Sequence, residues 1–328
     1  LETGSGDRIE EGARRPACAI VSLHPGPAVT APADTTTDLR TRFLLPEAGV
    51  RGVAVRLRHA WTDLLEPADY PPHARDLLGQ AVAAVALFTG HVKIDGRLSV
   101  QLRANRGLRT LFAECTAAGT VRGIVQLDDA EDAPADLTGL GQDALLAITI
   151  ENPGLDPRQP QRYQSLVELG APTLDAAFEG YFRNSEQLPT RLLLAADGER
   201  IAGLMLQKLP GDEGDADGWN RAGLLFDTLG RDELLGTAST ALLHRLFHEE
   251  SVSVLDQRPL HFGCSCSRER VESMLVSLGR EEAQAAAETG QAEVRCEFCG
   301  RTYLFTPAQI EALFEPAPLV ASGSERLQ

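Results

Sequence analysis

A chain of 328 residues has room for two domains, and 43% hydrophobic with 24% charged residues are the proportions of an ordinary globular protein. A net charge of −16 argues against a protein that grips nucleic acid through phosphate contacts, which needs a surplus of cations. The longest apolar run, "AVAAVALFTG" (81–90), is about half of a membrane span, so no membrane partner is expected either.

Residues 1–17 lack the apolar core of a signal peptide, which makes a cytoplasmic location the expectation. The chain opens on Leu rather than Met, and its start is taken to say nothing about function. Residues 1–40, with "HPGPAVTAPADTTTDL", read as a disordered leader in which Cys18 is a bystander thiol.

From about residue 41 the pattern becomes periodic. Val53, Val55 and Leu57 alternate as in a half-buried strand, and two prolines then open an Ala/Leu/Val-rich helix expected over about 73–89. The Asp95-Gly96 pair ahead of Leu98, Val100 and Leu102 signals a hairpin. "LRTLFAECTAAGTVRGIVQL" supplies two strands around "AAGT", with Cys115 as a buried structural thiol. "DALLAITIENP" and "RLLLAADGERIAGLMLQKLP" read as further strands, and "SLVELGAPTLDAAFEGYFRNS" between them as helix. Mixed elements with hairpin connections indicate an α/β core domain over 41–210. It carries no phosphate-binding glycine loop, nucleophile elbow or two-histidine metal helix, so no enzyme is expected.

"GDEGDADG" (211–218) breaks the pattern. Residues 211–256 hold ten acidic residues against three arginines, with two amphipathic helical stretches embedded. Their apolar contacts are expected at Leu224, Leu225, Leu242, Leu243, Leu246 and Phe247. The stretch 211–256 reads as a helical segment, either an ordinary connector or one able to leave its seat.

Then comes Cys264-x-Cys266, 29 residues, and Cys296-x-x-Cys299. Thiolates at such spacing approach one ion from tight turns, and two turns complete a tetrahedral four-sulfur zinc site. Gly300 suits the turn back past the metal. Between the turns Val271, Met274, Leu275 and Leu278 share a helical face; after them Thr306, Pro307 and Gln309 form a capping box. Arg268, Arg270, Arg295 and Arg301 either temper the sulfur charge or are solvated. The module 264–316 is too small to fold comfortably without its metal, and 317–328 is a tail. The fold class expected is α+β: a mixed α/β core domain, a helical linker, and a small C-terminal four-cysteine zinc domain.

"FHEESVSVLDQRPLHFGCSCSRERVESML" with "CEFCGRTYLFTPAQIEALF" closely resembles the heat shock protein 33 family, redox-regulated bacterial holdase chaperones. The likeness extends upstream through "DYPPHARDLLGQAVAAVALFTGHVKIDGRLSVQL", "GYFRNSEQLPTRLLL" and "GLMLQKLP", about 41–316 in all. It departs at Ala104-Asn105-Arg106-Gly107, where a Gly-x-Gly-Pro turn is usual, and at Gln80, usually acidic. The resemblance implies a chaperone that holds unfolding proteins without ATP under oxidative stress. It implies one Zn2+ in the reduced form and, on oxidation, disulfides Cys264–Cys266 and Cys296–Cys299, zinc release, unfolding of a metastable helical linker over 211–263, and a homodimer. The pair 296–299 would be the earlier, peroxide-sensing one. Alternatives are a thiol–disulfide oxidoreductase using Cys296-Glu297-Phe298-Cys299, which belongs on a helix start, or a static zinc-ribbon binding protein.

Overall fold

Leu39–Leu45 (β1) and Val50–Leu57 (β2) pair antiparallel and lead into a short helix, His59–Leu65 (α1). The structure is a computed structural model that describes residues 38–128, 134–154, 159–211, 214–288 and 290–315. Cys18 and nearly all of the expected leader, and the tail after 316, lie outside the described residues. The exception corrects the leader boundary: Leu39 and Arg40 are already strand, and the Asp38 carboxylate accepts the amides of Arg58, His59 and Ala60 at the start of α1 (2.6, 3.2 and 2.6 Å).

Pro72–His91 (α2) starts with its proline in the first turn, where no amide is needed. Its buried residues run without interruption from Ala81 to Gly90, the signature of a helix enclosed on all sides. The chain then enters Arg97–Arg106 (β3), Leu108–Thr116 (β4) and Thr120–Leu127 (β5), followed by Leu145–Asn152 (β6) and Gln161–Val167 (β7). The Asp95-Gly96 hairpin is not formed. The element immediately before β3 is helix α2, not a strand; the two residues end the α2–β3 connection, and both amides are taken by Asn152 Oδ1 (3.0 and 3.2 Å). The helix expected over 165–185 is also shortened. Its first residues complete β7, whose pairing with β6 outweighs local helix preference, and helix begins only at Leu174–Asn184 (α3).

Thr190–Ala196 (β8) and Ile201–Lys208 (β9) form the expected hairpin. Three short helices follow, Gly218–Phe226 (α4), Arg231–Gly236 (α5) and Ser239–Phe247 (α6), then strands Ser253–Pro259 (β10) and His261–Phe262 (β11). The stretch 211–263 is thus helical only as far as Glu250. Its end is strand because two sheets have free edges to offer: β10 adds to β1, and β11 adds to β5 in parallel. The last elements are Arg268–Leu278 (α7), Arg280–Ala285 (α8), Ala292–Arg295 (β12), Thr302–Phe305 (β13) and Pro307–Leu313 (α9).

Among the described residues the strands make a five-stranded sheet ordered β10-β1-β2-β9-β8, a six-stranded sheet ordered β11-β5-β4-β3-β6-β7, and the β12–β13 ribbon. Helix α2 lies between the two large sheets, and its side chains share one core with Val53, Val55, Leu57 and Met205 of one sheet and Val100, Leu102, Leu111 and Val121 of the other. Strand β2 is therefore buried on both faces rather than one. Its other face, with Phe43, Val50, Ala54, Leu204 and Leu206, is covered by α4–α6 in a second apolar cluster. The C-terminal elements have a third, small core of their own around Leu275, Ala283, Tyr303, Phe305 and Ile310.

Candidate metal centre

Backbone geometry brings the four cysteines together. Cys264 and Cys266 lie on the extended segment between β11 and α7, anchored by Gly263 N–H on Val121 O (3.2 Å) and stopped by Ser267, whose hydroxyl caps α7 through Arg270 N–H. Cys296 and Cys299 occupy the turn between β12 and β13. There Cys296 N–H bonds Arg301 O (2.9 Å) and Gly300 N–H bonds Cys296 O (2.8 Å). Gly300 has φ of 68°, a left-handed conformation that a side chain would strain. This turn is not a helix start, so the arrangement expected of a thiol–disulfide oxidoreductase motif is not the one observed.

All four Sγ atoms lie within 4.8 Å of one another, each half-buried. Cys264 and Cys296 sulfurs are 3.6 Å apart and Cys266 and Cys299 sulfurs 3.3 Å. A tetrahedral ion with metal–sulfur bonds of about 2.3 Å sets its sulfurs about 3.8 Å apart, so the donor set fits a metal ion that prefers four thiolates. Burial pushes the Cys264 thiol up to about 12. At Cys266 burial acts upward too, but the Tyr303 hydroxyl, which donates to its sulfur at 3.2 Å, and the neighbouring thiols bring it down to about 7. Cys266 is thus a sulfur whose charged form its neighbours favour.

Of the four arginines near the cysteines, Arg301 is the one drawn to the cluster: Tyr303, then the Cys266 and Cys299 charges, raise its affinity for its proton. The others are engaged elsewhere. Arg270 donates to Ser265 Oγ (2.7 Å), Arg295 to Pro67 O (2.8 Å), and Arg268 pairs with Glu272 (3.2 Å) and lies over the Phe305 ring (4.2 Å). The expected helical face in α7 narrows to Val271 and Leu275. Met274 and Leu278 are exposed, because the small module wraps only one side of the helix. The capping box at Thr306 and Gln309 is formed as expected.

Sequence reasoning missed how the cysteine turns are seated. Phe298, between Cys296 and Cys299, rests edge-on against Phe112 of β4 (5.8 Å between ring centres) and under the Arg122 guanidinium (4.7 Å). Arg122 also donates to Ser265 Oγ (2.8 Å), between the other two cysteines, and pairs with buried Glu114 (3.0 Å). Gln126 donates to both Glu297 oxygens (2.9 and 3.0 Å). Phe112, Glu114, Arg122 and Gln126 project from one face of adjacent strands, so both cysteine turns sit on the outer face of the six-stranded sheet. The available signal was Phe298 itself, an aromatic side chain inside a tight turn with no room in the module's own core.

Among the apolar residues named for 211–256, burial differs from one to the next. Leu242, Leu243, Leu246 and Phe247 are buried against the sheet, with Phe247 stacked on Phe43 (6.4 Å), and Leu225 packs at the edge. Leu224 is the correction: it is 61% exposed, because the inner face of α4 is set by Ala222 and Phe226 and position 224 points the opposite way. Glu250, buried at the end of this segment, is held by Arg221 (2.8 and 3.0 Å), which also grips Asp215 (2.8 Å).

No described helix is long and apolar enough to cross a membrane. Residues 38–306 match the family described as Hsp33 protein. The chain is 42% identical over 297 residues to a 33 kDa chaperonin of Ectopseudomonas mendocina (strain ymp), covering 88% of this chain and 99% of that one. It is 42% identical over 286 residues to a 33 kDa chaperonin of Hahella chejuensis (strain KCTC 2396), covering 86% and 99%. A crystal structure of a 33 kDa chaperonin, a heat shock protein 33 homologue from Thermotoga maritima, superposes with a TM-score of 0.68 at 20% identity, over 84% of this chain and 97% of that one. That last likeness shows the fold.

Proposed function

The chain belongs to the Hsp33 protein family, and on that premise we propose that it is a redox-regulated chaperone that holds unfolding proteins without ATP. The observation that carries the reading is the seating of the four-sulfur cluster. The cysteine turns lie on one sheet, and the strands leading into them, β10 and β11, follow directly on the helices that cover the other sheet. Residues 38–210 are the core, 211–263 the releasable linker and 264–316 the switch.

Cys264, Cys266, Cys296 and Cys299 would hold one zinc ion, which when bound keeps the sulfurs as thiolates and ties the two turns together. Each disulfide then forms as two thiolates give two electrons to a peroxide, which takes two protons from the solvent and leaves as two waters. All sulfur pairs start within 4.8 Å, so distance does not select the partners. The family resemblance implies pairing within each turn, Cys264 with Cys266 and Cys296 with Cys299, and loops this short can close even after the module's fold is lost. With the donors consumed, the small core around Leu275 and Phe305 no longer holds, Phe298 leaves the sheet, and the pull passes through β11 and β10 to α4–α6. The exposed face of the five-stranded sheet and the apolar sides of the helices then offer a surface to unfolded clients. Partners are accordingly unfolding proteins and, in the oxidised state, a second copy; the setting is cytoplasmic, with no nucleic-acid or membrane partner.

The test is light scattering of a heat-unfolding client with the protein either reduced and zinc-loaded or oxidised at unfolding temperature. Suppression by the oxidised form alone, reversed by prior reduction, is expected. Equal suppression by both forms removes the switch, and suppression by neither removes the chaperone.

A further inference from the structure

A cleft of about 630 Å³ at the C-terminal end of α2 is built from cations in a chain that is otherwise strongly acidic. Arg40, Arg42, Arg51, Lys93 and Arg258 line it against two carboxylates, Asp95 and Asp256, a surplus of three positive charges. His91, the remaining titratable side chain in the lining, stays neutral: burial, then Arg51 and Arg42, hold its imidazole down to about 3. The negative end of the α2 dipole offsets only about half a charge.

The internal partners do not use up these cations. Arg42 is paired with Asp256 (2.8 Å). Arg51 donates to Gln207 Oε1 (2.5 and 3.2 Å) and lies 3.3 Å from His91 Nε2, all uncharged groups. Arg258 donates to the Ala117 carbonyl. Arg40 is 5% exposed, and its Nε and Nη1 are buried without a hydrogen-bond partner. Its side chain passes over Gly90, where a Cβ would come within 2.6 Å of Arg40 Cδ, so the glycine makes room for the guanidinium. A buried, unpaired guanidinium is costly unless something accepts its protons.

The strand register adds a second argument. Arg40 of β1 stands directly opposite Arg258 of β10, and like charges opposite each other across a ladder repel. We propose that this cleft binds a small polyanion of the oligophosphate class, whose oxygens take the unused donors of Arg40 and bridge Arg40, Arg51, Lys93 and Arg258. Several phosphoryl groups match cations supplied by β1, β2, the α2–β3 connection and β10 better than one phosphate does. Apart from His91 the lining has no aromatic ring, so a nucleobase finds no stacking partner and the phosphate chain carries the recognition. By drawing Arg40 and Arg258 together, the bound anion fastens β10 to β1.

The experiment is calorimetric titration of tripolyphosphate into the reduced, full-length protein at low ionic strength, with hydrogen exchange of residues 253–259 followed in parallel. Saturable binding at a single site is expected, weakening as salt rises, with slower exchange in β10. Lys93→Gln and Arg258→Gln, both at exposed positions, should each weaken binding roughly tenfold, the loss of one charge-assisted contact. Asp95→Asn should tighten it, which a merely structural role for the cluster does not predict. ATP should bind no tighter than tripolyphosphate. Absence of saturable binding, or binding indifferent to all three substitutions, overturns the assignment; so does tighter binding of ATP that depends on its base. None of these readouts involves a client protein, so failure here is separate from failure of the chaperone reading.

Discussion

The five-stranded sheet is covered on both faces, but by two different kinds of cover. On the inner face lies α2, a single 20-residue helix enclosed between two sheets, with its aromatic neighbours Phe178 and Phe182 packed on Phe88 (5.0 and 5.3 Å). On the outer face lie α4, α5 and α6, of 9, 6 and 9 residues, none long enough to be helical by itself. Their helicity is borrowed from the sheet they sit on. The inner cover is part of the main core, shared with both sheets, whereas on the proposed reading the outer one is the cover that leaves. The difference assigns stability to one face and release to the other.

The largest way to break this division is at the trigger. Replacing Cys296 and Cys299 together by Ser removes half of the donor set, and a structural zinc contributes roughly 10–16 kcal/mol in comparable small modules. Limited proteolysis should then cut within 264–315 while a fragment containing α2 and the six-stranded sheet persists. A second test weighs the two covers against each other. Phe247→Ala and Phe178→Ala each delete a fully buried ring, at about 3–5 kcal/mol. Phe178→Ala should lower the global unfolding temperature, whereas Phe247→Ala should loosen α4–α6 and give client protection in the reduced state. Equal behaviour of the two variants would erase the distinction.

A third test uses pH. His91 is held at about 3 by burial and then by Arg51 and Arg42, against an ordinary value near 6.5. Between those values the unfolded chain binds the extra proton, so stability is intact above about 6.5 and falls as pH drops, by at most about 1.4 kcal/mol per unit. Urea midpoints should decline from pH 7 to 5, and His91→Gln should flatten the decline without activating the protein. The smallest effect expected is at the seat of the switch. Phe298→Ala forfeits the ring contact with Phe112 and the Arg122 interaction, about 1–2 kcal/mol together, and peroxide oxidation of the cysteines should quicken by roughly tenfold.

The sequence carried local features well and long-range ones poorly. The four-sulfur cluster was readable because each pair is fixed by residues one or two apart and Gly300 closes the turn. Helix α2, expected over about 73–89 and observed over Pro72–His91, was readable from its two opening prolines and its Ala/Leu/Val run. The Asp95-Gly96 hairpin failed because a turn signal does not say what precedes it; a helix does. Residues 253–262 became strand because β1 and β5 had open edges, a fact held some 200 and 140 residues away in the chain. Leu224 was assigned by apolarity, whereas its direction is decided by Ala222 and Phe226. The contact of Phe298 and Arg122 joins residues 176 apart and leaves no periodic trace.

The central claim is that loss of the cysteine module releases the outer cover and spares the inner one. Hydrogen exchange on the full-length protein, reduced and zinc-loaded against peroxide-oxidised, tests it directly. Protection should collapse over 268–313 and over 218–247 together, while α2 and the strands β3 to β6 keep theirs. Collapse of 268–313 with α4–α6 still protected would contradict the account, since the switch would then have nothing to release.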